Sequence, residues 1–171
     1  MKILVTGIAG TGKTSLIRAL GEQGYLVIDL DDSGLCDWIH KETGEIAEYA
    51  EGAGKEWIDA HRWQVIEPRL IEKLKEFPDD RDVYVGGKVA TAQVQAMANI
   101  FDRIYLLQPN DATIDERLAS RTTNAVNFGK KKEEREHIIQ NRHKFEQAYR
   151  DAGAIPIENH GHIENTLHML L

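Results

Sequence analysis

The sequence contains very little cysteine and no long apolar run. Cys36 is its single cysteine, so the chain cannot form an intramolecular disulfide, and a reducing, cytoplasmic setting is expected. No stretch approaches the roughly 18 consecutive apolar residues of a membrane-spanning helix. We therefore expect a protein that neither depends on disulfides nor crosses a membrane.

Positive charge is also scarce. Lysine and arginine total 21 against 28 aspartates and glutamates, which gives a formal net charge of −7. Proteins that bind nucleic acid need a basic surface to displace the counterions of the phosphate backbone. The charge balance therefore argues against a nucleic-acid partner and favours a small-molecule one.

The length of 171 residues fits a single domain, residues 1–171. Five strand-like segments alternate with helical ones: Ile3 to Thr6, Tyr25 to Asp29, Asp82 to Gly86, Arg103 to Leu107 and Ala154 to Glu158. This alternation predicts an α/β fold in which helices cover both faces of a five-stranded parallel sheet. In such a sheet the carboxyl ends of the strands form the ligand-binding edge.

The first predicted strand leads into the most specific motif of the chain, Gly-Ile-Ala-Gly-Thr-Gly-Lys-Thr at residues 7–14. A strand before it and a helix after it are the context that a phosphate-binding loop requires. Lys13 would reach the β- and γ-phosphates of a nucleotide, and the Thr14 hydroxyl would ligate Mg²⁺. A plain glycine-rich turn with a solvated lysine is the alternative. The predicted nucleotide-binding residues are Gly7, Gly10, Thr11, Gly12, Lys13, Thr14 and Ser15.

Two carboxylates follow the second predicted strand. Asp29 and Asp31 are separated by one residue, so both side chains can face the ligand crevice at the carboxyl end of the sheet. One can hold a Mg²⁺-bound water while the other binds an acceptor hydroxyl or takes its proton. The alternative is that these aspartates only cap the following segment. Beside a phosphate-binding loop we favour the functional interpretation.

The third predicted strand lacks the terminal carboxylate that many ATPase motors and switch GTPases use for Mg²⁺. The chain also lacks the Asn/Thr-Lys-x-Asp motif with which GTPases read guanine. Both absences favour a small phosphotransferase. The strand instead continues into Gly86, Gly87 and Lys88. The two glycines can let an acceptor approach the backbone, with Lys88 available to an anion, although a strand-ending turn with a solvated lysine is an equal alternative.

Two arginines lie four residues apart on a helix predicted from Asp111 to Arg121. Arg117 and Arg121 therefore share one face of that helix. They precede a polar segment, residues 122–131, which we interpret as a lid. Guanidinium groups there would neutralise a transferring phosphoryl group when the lid closes and excludes water. The alternative is an ordinary solvated helix face.

Residues 33–78 form an insertion that is longer than a crossover between two strands needs. Its apolar residues predict helices, and the segment can arch over the cleft to bind an acceptor. Arg62, next to Trp63, is the leading candidate, because a bidentate arginine beside an indole suits a phosphate or carboxylate on a ring. The alternative is that the aromatic residues form core and that Arg62 lies on the surface.

The order of these motifs resembles the P-loop kinases of the adenylate kinase and shikimate kinase group over nearly the whole chain. The resemblance implies a sheet order of 2-3-1-4-5, an acceptor-binding insertion after the second strand and an arginine-bearing lid after the fourth. It implies ATP and Mg²⁺ as cofactors, with Asp29 and Thr14 at the metal and Asp31 at the acceptor.

The same resemblance extends to the remaining candidates. It implies that Arg117 and Arg121 act on the transition state together with Lys13. It also implies that Gly86 and Gly87 contact the acceptor.

Together, the motifs and the resemblance predict an ATP- and Mg²⁺-dependent kinase that acts on a small metabolite. A nucleoside monophosphate or a nucleoside is the favoured acceptor, and the protein is expected to be a monomer or a homodimer. The alternatives are a nucleotide-binding regulatory ATPase or switch without a small-molecule acceptor, and an ATP-binding protein that has lost its chemistry.

Overall fold

A computed structural model of the chain describes residues 1–49, 55–121 and 129–171. The strands within these ranges are β1 (Lys2–Thr6), β2 (Leu26–Asp29), β3 (Cys36–His40), β4 (Ile46–Ala47), β5 (His61–Val65), β6 (Val83–Gly86), β7 (Arg103–Leu107) and β8 (Ile155–Ile157). The helices are α1 (Lys13–Glu22), α2 (Lys55–Ala60), α3 (Glu67–Lys75), α4 (Val94–Ile100), α5 (Asp111–Ala119), α6 (Lys132–Asp151) and α7 (Ile163–Leu170). None of the helices in this part of the chain is both long and apolar enough to span a membrane.

Five strands form the central sheet, and all of its neighbouring pairs are parallel. Their order is β2-β6-β1-β7-β8, so the predicted α/β fold with a five-stranded parallel sheet is confirmed. The numbers differ from the predicted 2-3-1-4-5 because three further strands, β3 to β5, enter the count after β2.

Alternating side chains of the central sheet form two buried layers. Ile3 and Val5 of β1 pack on one face against α1 and α7, through residues such as Leu16 and Leu167. Leu4 points to the opposite face, where the core is closed by α3, α4, α5 and α6. Strands buried on both sides are expected for a parallel sheet between two helical layers.

The insertion at residues 33–78 differs from its predicted helical structure. Strands β3, β4 and β5 form an antiparallel sheet in the order β4-β3-β5, and among the described residues of the insertion only α2 and α3 are α-helical. The prediction was wrong for the strands because a short apolar run fits the repeat of a helix and that of a strand equally well. In these segments successive side chains point to opposite faces of the sheet, which is the two-residue repeat of a strand. Pro68 lies in the first turn of α3, where its missing N–H costs no hydrogen bond.

A buried glutamine fastens this small sheet to the rest of the domain. The side chain of Gln93 donates from Nε2 to the Val65 carbonyl at 2.7 Å, and its Oε1 accepts from the Val65 N–H at 3.1 Å. The amide thus replaces the partner strand that the edge of β5 lacks. These two hydrogen bonds hold β5 in place against the rest of the domain.

Candidate functional site

The loop between β1 and α1 owes its shape to glycines with positive φ. Gly10 has φ +83° and Gly12 has φ +91°, a conformation that other residues rarely adopt. A Cβ atom at Gly10 would also lie 2.8 Å from Leu118 Cγ of α5. Neither an N-cap side chain nor an acidic residue occupies the first turn of α1. The free N–H groups and positive dipole end of α1 are therefore available to an anion.

Lys13 lies at the start of α1 and folds back over the loop. Its Nζ donates to the carbonyl oxygens of Gly7 and Ile8, both at 2.9 Å. Burial lowers the pKa of Lys13 to about 8, because the loss of hydration disfavours its charged form. The side chain is thus a partly buried cation within the predicted phosphate-binding loop.

Four more charged residues lie close enough to Lys13 to change its pKa. Asp31 and Asp29 raise it, whereas Lys88 and Arg121 lower it. These residues belong to segments far apart in the sequence, which the carboxyl ends of β2, β6 and β7 bring towards the loop. The fold therefore gathers charged residues that the sequence analysis proposed separately.

Asp29 and Thr14, the predicted metal pair, lie side by side. Burial raises the pKa of Asp29, while hydrogen bonds from the Asp31 N–H and the Thr14 side chain lower it. The Asp31 N–H lies 3.0 Å from Asp29 Oδ1. A hydroxyl and a carboxylate are the oxygen groups that Mg²⁺ prefers, and Mg²⁺ commonly keeps several of its waters. The donor set therefore fits a hydrated Mg²⁺.

Asp31 is exposed at the mouth of the cleft and has a partner that the sequence analysis did not foresee. Its Oδ1 accepts a hydrogen bond from Trp63 Nε1 at 3.1 Å. Trp63 belongs to β5, so the small sheet orients a carboxylate at the end of the central sheet. No local sequence signal links two residues that are 32 positions apart. Only the recognition of residues 61–65 as a strand could have suggested this contact.

Arg117 connects the phosphate-binding loop with the segment after β8. Its guanidinium donates to the Thr11 carbonyl at 3.3 Å and to the Asn159 carbonyl at 2.8 Å. Burial lowers the pKa of Arg117. The side chain of Asn159 is itself buried and donates to the same Thr11 carbonyl at 2.5 Å. Asn159 was not predicted, because an asparagine after a terminal strand carries no motif.

A cleft of about 380 Å³ runs along the loop and the start of α1. Asp31, Arg117, Arg121 and Asn159 are among the residues that line it. The two arginines therefore line the same space. The predicted helix from Asp111 to Arg121 was too long, because α5 ends at Ala119 and Ser120 follows it as the C-cap, so Arg121 does not share a helical face with Arg117. Unlike that of Arg117, the guanidinium of Arg121 has no hydrogen-bond partner among the residues that the structure describes.

Gly86 and Gly87 have a packing role in this structure. A Cβ atom at Gly86 would collide with the side chain of Ile17, and one at Gly87 would lie 2.6 Å from Leu30 Cβ. Close packing therefore explains both glycines without an acceptor. The side chain of Lys88 remains accessible to solvent. The loss of hydration caused by the surrounding protein atoms lowers the pKa of Lys88, and the negative charge of Asp31 partly offsets this effect.

Arg62 is not brought together with the other candidates. Successive residues of a strand point to opposite faces, so Arg62 lies on the face of β5 opposite to Trp63. Its Nε donates to Gln64 Oε1 at 2.7 Å on that outer face. Most of the predicted lid, residues 122–128, lies outside the described residues.

Comparisons with known proteins support the fold. No family model matches the chain, and no curated protein sequence matches it. Among solved structures, the shikimate kinase from Acinetobacter baumannii in complex with shikimate is 18% identical, with a TM-score of 0.63 over 99% of this chain and 92% of that one. The deoxyadenosine kinase from M. mycoides with bound dATP is 14% identical, with a TM-score of 0.60 over 99% and 97%.

A third similar structure is the shikimate kinase from Bacteroides thetaiotaomicron, at 18% identity and a TM-score of 0.61 over 99% of this chain and 96% of that one. All three are P-loop small-molecule kinases. The similarity extends over nearly the whole chain, and the loop, the cleft and the order of elements agree with it. The chain therefore has the fold of the P-loop small-molecule kinases.

Proposed function

We propose that this protein is an ATP- and Mg²⁺-dependent kinase that phosphorylates a small hydroxyl-bearing metabolite. The observation that carries the proposal is the convergence of Lys13, Arg121 and Asp31 on one cleft at the uncapped N-terminus of α1. An anion-binding helix end and a carboxylate that can accept a proton are the two features that phosphoryl transfer to a hydroxyl requires.

The triphosphate of ATP fits the loop side of this cleft. The N–H groups at the start of α1 would bind phosphate oxygens, and Lys13 would exchange its two carbonyl contacts for the β- and γ-phosphates. Thr14 and Asp29 would hold the hydrated Mg²⁺, which neutralises phosphate charge. Arg117 holds the loop in shape through the Thr11 carbonyl and thereby keeps its N–H groups oriented.

The acceptor would bind at the Asp31 end of the cleft. Its hydroxyl oxygen forms a bond to the γ-phosphorus, the bond between that phosphorus and the β,γ-bridging oxygen breaks, and the hydroxyl proton passes to Asp31. ADP and the phosphorylated acceptor are the products. Lys13 and Arg121 supply positive charge where negative charge redistributes, which is the main contribution of a protein to this reaction.

A nucleoside or a nucleoside monophosphate is the acceptor class that we favour. The similar structures include kinases named for a nucleoside and for shikimate, both of which are ring compounds with free hydroxyls. The insertion between β2 and α3 meets Asp31 through the hydrogen bond from Trp63, and its aromatic side chains suit a ring.

The proposal is tested by measuring ADP release from ATP with a panel of nucleosides, nucleoside monophosphates, sugar acids and shikimate-like polyols. We expect one chemical group to stimulate ADP release strongly over the slow hydrolysis that occurs without an acceptor. Lys13→Ala, purified in parallel, shows whether the stimulated activity belongs to this protein. Stimulation only by a macromolecule would instead identify a regulatory switch.

A further inference from the structure

The three tryptophans of the chain lie together on one side of the small antiparallel sheet. Trp38, Trp57 and Trp63 form an aromatic cluster with Tyr49, with ring centroids 5.2–6.1 Å apart in each contacting pair. All four side chains are half-buried. A cluster of large aromatic rings that stays partly accessible to solvent is costly unless it meets a partner.

The position of this aromatic cluster relates it to the cleft. Trp38 and Trp63 are directly opposite each other on β3 and β5. Trp63 also packs against the main core and donates its indole N–H to Asp31. Because Asp31 lines the cleft, the aromatic cluster is in direct contact with a residue of the cleft.

The spacing of the rings indicates what kind of group the aromatic cluster can bind. Centroid distances of 5.2–6.1 Å are those of rings in direct contact. Such rings leave no gap in which an ammonium group could be enclosed, as it is in an aromatic cage. They offer accessible ring surface to which one more flat ring can be added.

The charges nearby restrict the partner further. Three carboxylates, Asp29, Asp31 and Asp32, lie close together in the sequence at the end of β2, and their negative charges repel an anion. Arg62, the arginine of this sheet nearest in sequence to Trp63, points to the opposite face and bonds to Gln64. The cations within electrostatic reach of Asp31, Lys13 and Lys88, belong to the phosphate-binding loop and to the segment after β6, and none belongs to the aromatic cluster. An acceptor without a negative charge is therefore favoured on the aromatic side of Asp31.

We propose that the aromatic cluster is the acceptor subsite and that it binds a neutral, ring-bearing alcohol of the nucleoside type, with the acceptor hydroxyl at Asp31. Trp63 has two functions in this subsite. Its ring contacts the ring of the acceptor, and its N–H orients the carboxylate that receives the hydroxyl proton. This assignment rests on the proposed function and narrows its acceptor class from nucleoside monophosphates to nucleosides.

Binding is tested first, without any turnover. Because all tryptophans lie in the aromatic cluster, intrinsic fluorescence excited at the red edge of the tryptophan band reports on this site alone. Adenosine, guanosine, cytidine and thymidine are titrated in the presence of Mg²⁺ and ADP, with ribose and choline as probes of a sugar and of an organic cation. N-acetyltryptophanamide with the same nucleosides corrects for absorption and for collisional quenching.

We expect saturable quenching by at least one nucleoside and none by ribose or choline. A response to choline alone, or no saturable response to any nucleoside, would overturn the proposal. This titration separates the two proposals, since an inactive protein that still binds a nucleoside here would refute the kinase and retain the subsite.

Kinetics with the active acceptor then separate the two functions of Trp63. Trp63→Leu removes the ring and should raise the acceptor KM about tenfold or more, in line with the loss of one base–aromatic stack. Trp63→Phe keeps a ring but loses the N–H donor, so kcat should fall several-fold while KM changes little. Tyr25→Leu is the matched control, because Tyr25 packs on Tyr84, outside the aromatic cluster.

The KM for ATP should stay within about twofold in all three variants, because none of them alters the phosphate-binding loop. An unchanged acceptor KM in Trp63→Leu would contradict the subsite. If Trp63→Leu lost kcat equally with aromatic and non-aromatic acceptors and kept its KM, Trp63 would only support Asp31. That result would also refute stacking of the acceptor ring on Trp63.

Discussion

The two sides of the cleft are built in different ways. The phosphate side is one continuous segment, residues 7–15, whose ends are fixed by β1 and α1. The side that we propose for the acceptor is a separate antiparallel sheet that is held to the domain by Gln93 and meets the cleft through the hydrogen bond between Trp63 and Asp31. One side therefore depends on local backbone geometry, and the other on contacts between distant segments.

This difference shows how the two sides can serve different needs. A triphosphate presents the same oxygens whichever acceptor is used, so a loop of backbone N–H groups is sufficient to bind it. An acceptor is recognised by its own shape and charge, which requires side chains on a surface that can vary without disturbing the loop. The small sheet provides such a surface, because its strands pair with one another and not with the central sheet.

The largest effect is expected on the phosphate side. Lys13→Ala removes the cation that lies within the loop and should reduce kcat by about 10²-fold or more, because one main electrostatic stabiliser of the transition state is lost. Steady-state ADP release with the active acceptor measures the effect, and circular dichroism checks the fold. Near-normal turnover in a folded variant would refute the assignment of the loop.

Substitution of Arg117 and Arg121 should have different effects, because Arg117 supports the loop whereas Arg121 acts on the reaction. Arg117→Ala loses two hydrogen bonds to backbone carbonyls and should lower the free energy of unfolding by about 1.5–3 kcal/mol. Arg121→Ala should lower kcat about tenfold or more without a change in thermal stability, since the Arg121 guanidinium has no hydrogen-bond partner in the described part of the chain. Thermal melts and kinetics of both variants test this contrast. Equal melting temperatures for Arg117→Ala and wild type would contradict it.

The pH dependence of ATP affinity provides a smaller effect on the same side. Lys13 has a pKa lowered to about 8, and the protonated form binds phosphate, so binding raises the pKa and takes up a proton. Affinity should be constant below pH 8 and fall by at most about tenfold per pH unit above it. Calorimetry in buffers of different ionisation enthalpy measures the proton uptake. In Lys13→Arg the fall should disappear, because a guanidinium stays charged.

The smallest effect is expected for Arg62. The sequence-based hypothesis that Arg62 binds the acceptor predicts a large rise in acceptor KM for Arg62→Ala. Its place on the outer face of β5 predicts a change of less than about twofold, as for other exposed substitutions away from a site. Acceptor titrations of this variant distinguish the two expectations, and a rise above tenfold would show that the outer face takes part in binding.

The sequence predicted the phosphate side better than the acceptor side, and the reason is physical. Residues 7–14 specify their own structure, because glycines with positive φ and the strand-to-helix context are both local. The start of α5 at Asp111 is also specified locally, because the side chain of Asn110 accepts from the Thr113 N–H at 2.8 Å. The five strands of the central sheet were recognisable because residues buried on both faces leave continuous apolar runs.

The insertion was not predictable in the same way. The run from Cys36 to His40 is too short to show its period, and only its pairing with His61–Val65 makes it a strand. The helical interpretation placed Arg62 beside an indole, whereas the strand places them on opposite faces. The position of Asn159 in the site depends on a segment distant in the sequence, and so does the contact between Trp63 and Asp31. No local sequence pattern predicts either of them.

The central claim is that the two sides meet at Asp31, and Asp31→Asn tests it most directly. An asparagine keeps an oxygen for the Trp63 N–H but cannot take the acceptor proton, so acceptor-dependent turnover should fall about 10²- to 10⁴-fold, while the Kd of ATP with Mg²⁺ stays within a few-fold of wild type. Asp29→Asn is the matched control and should raise the Mg²⁺ requirement instead. Wild-type turnover in Asp31→Asn, or an equal loss of ATP binding, would contradict the account.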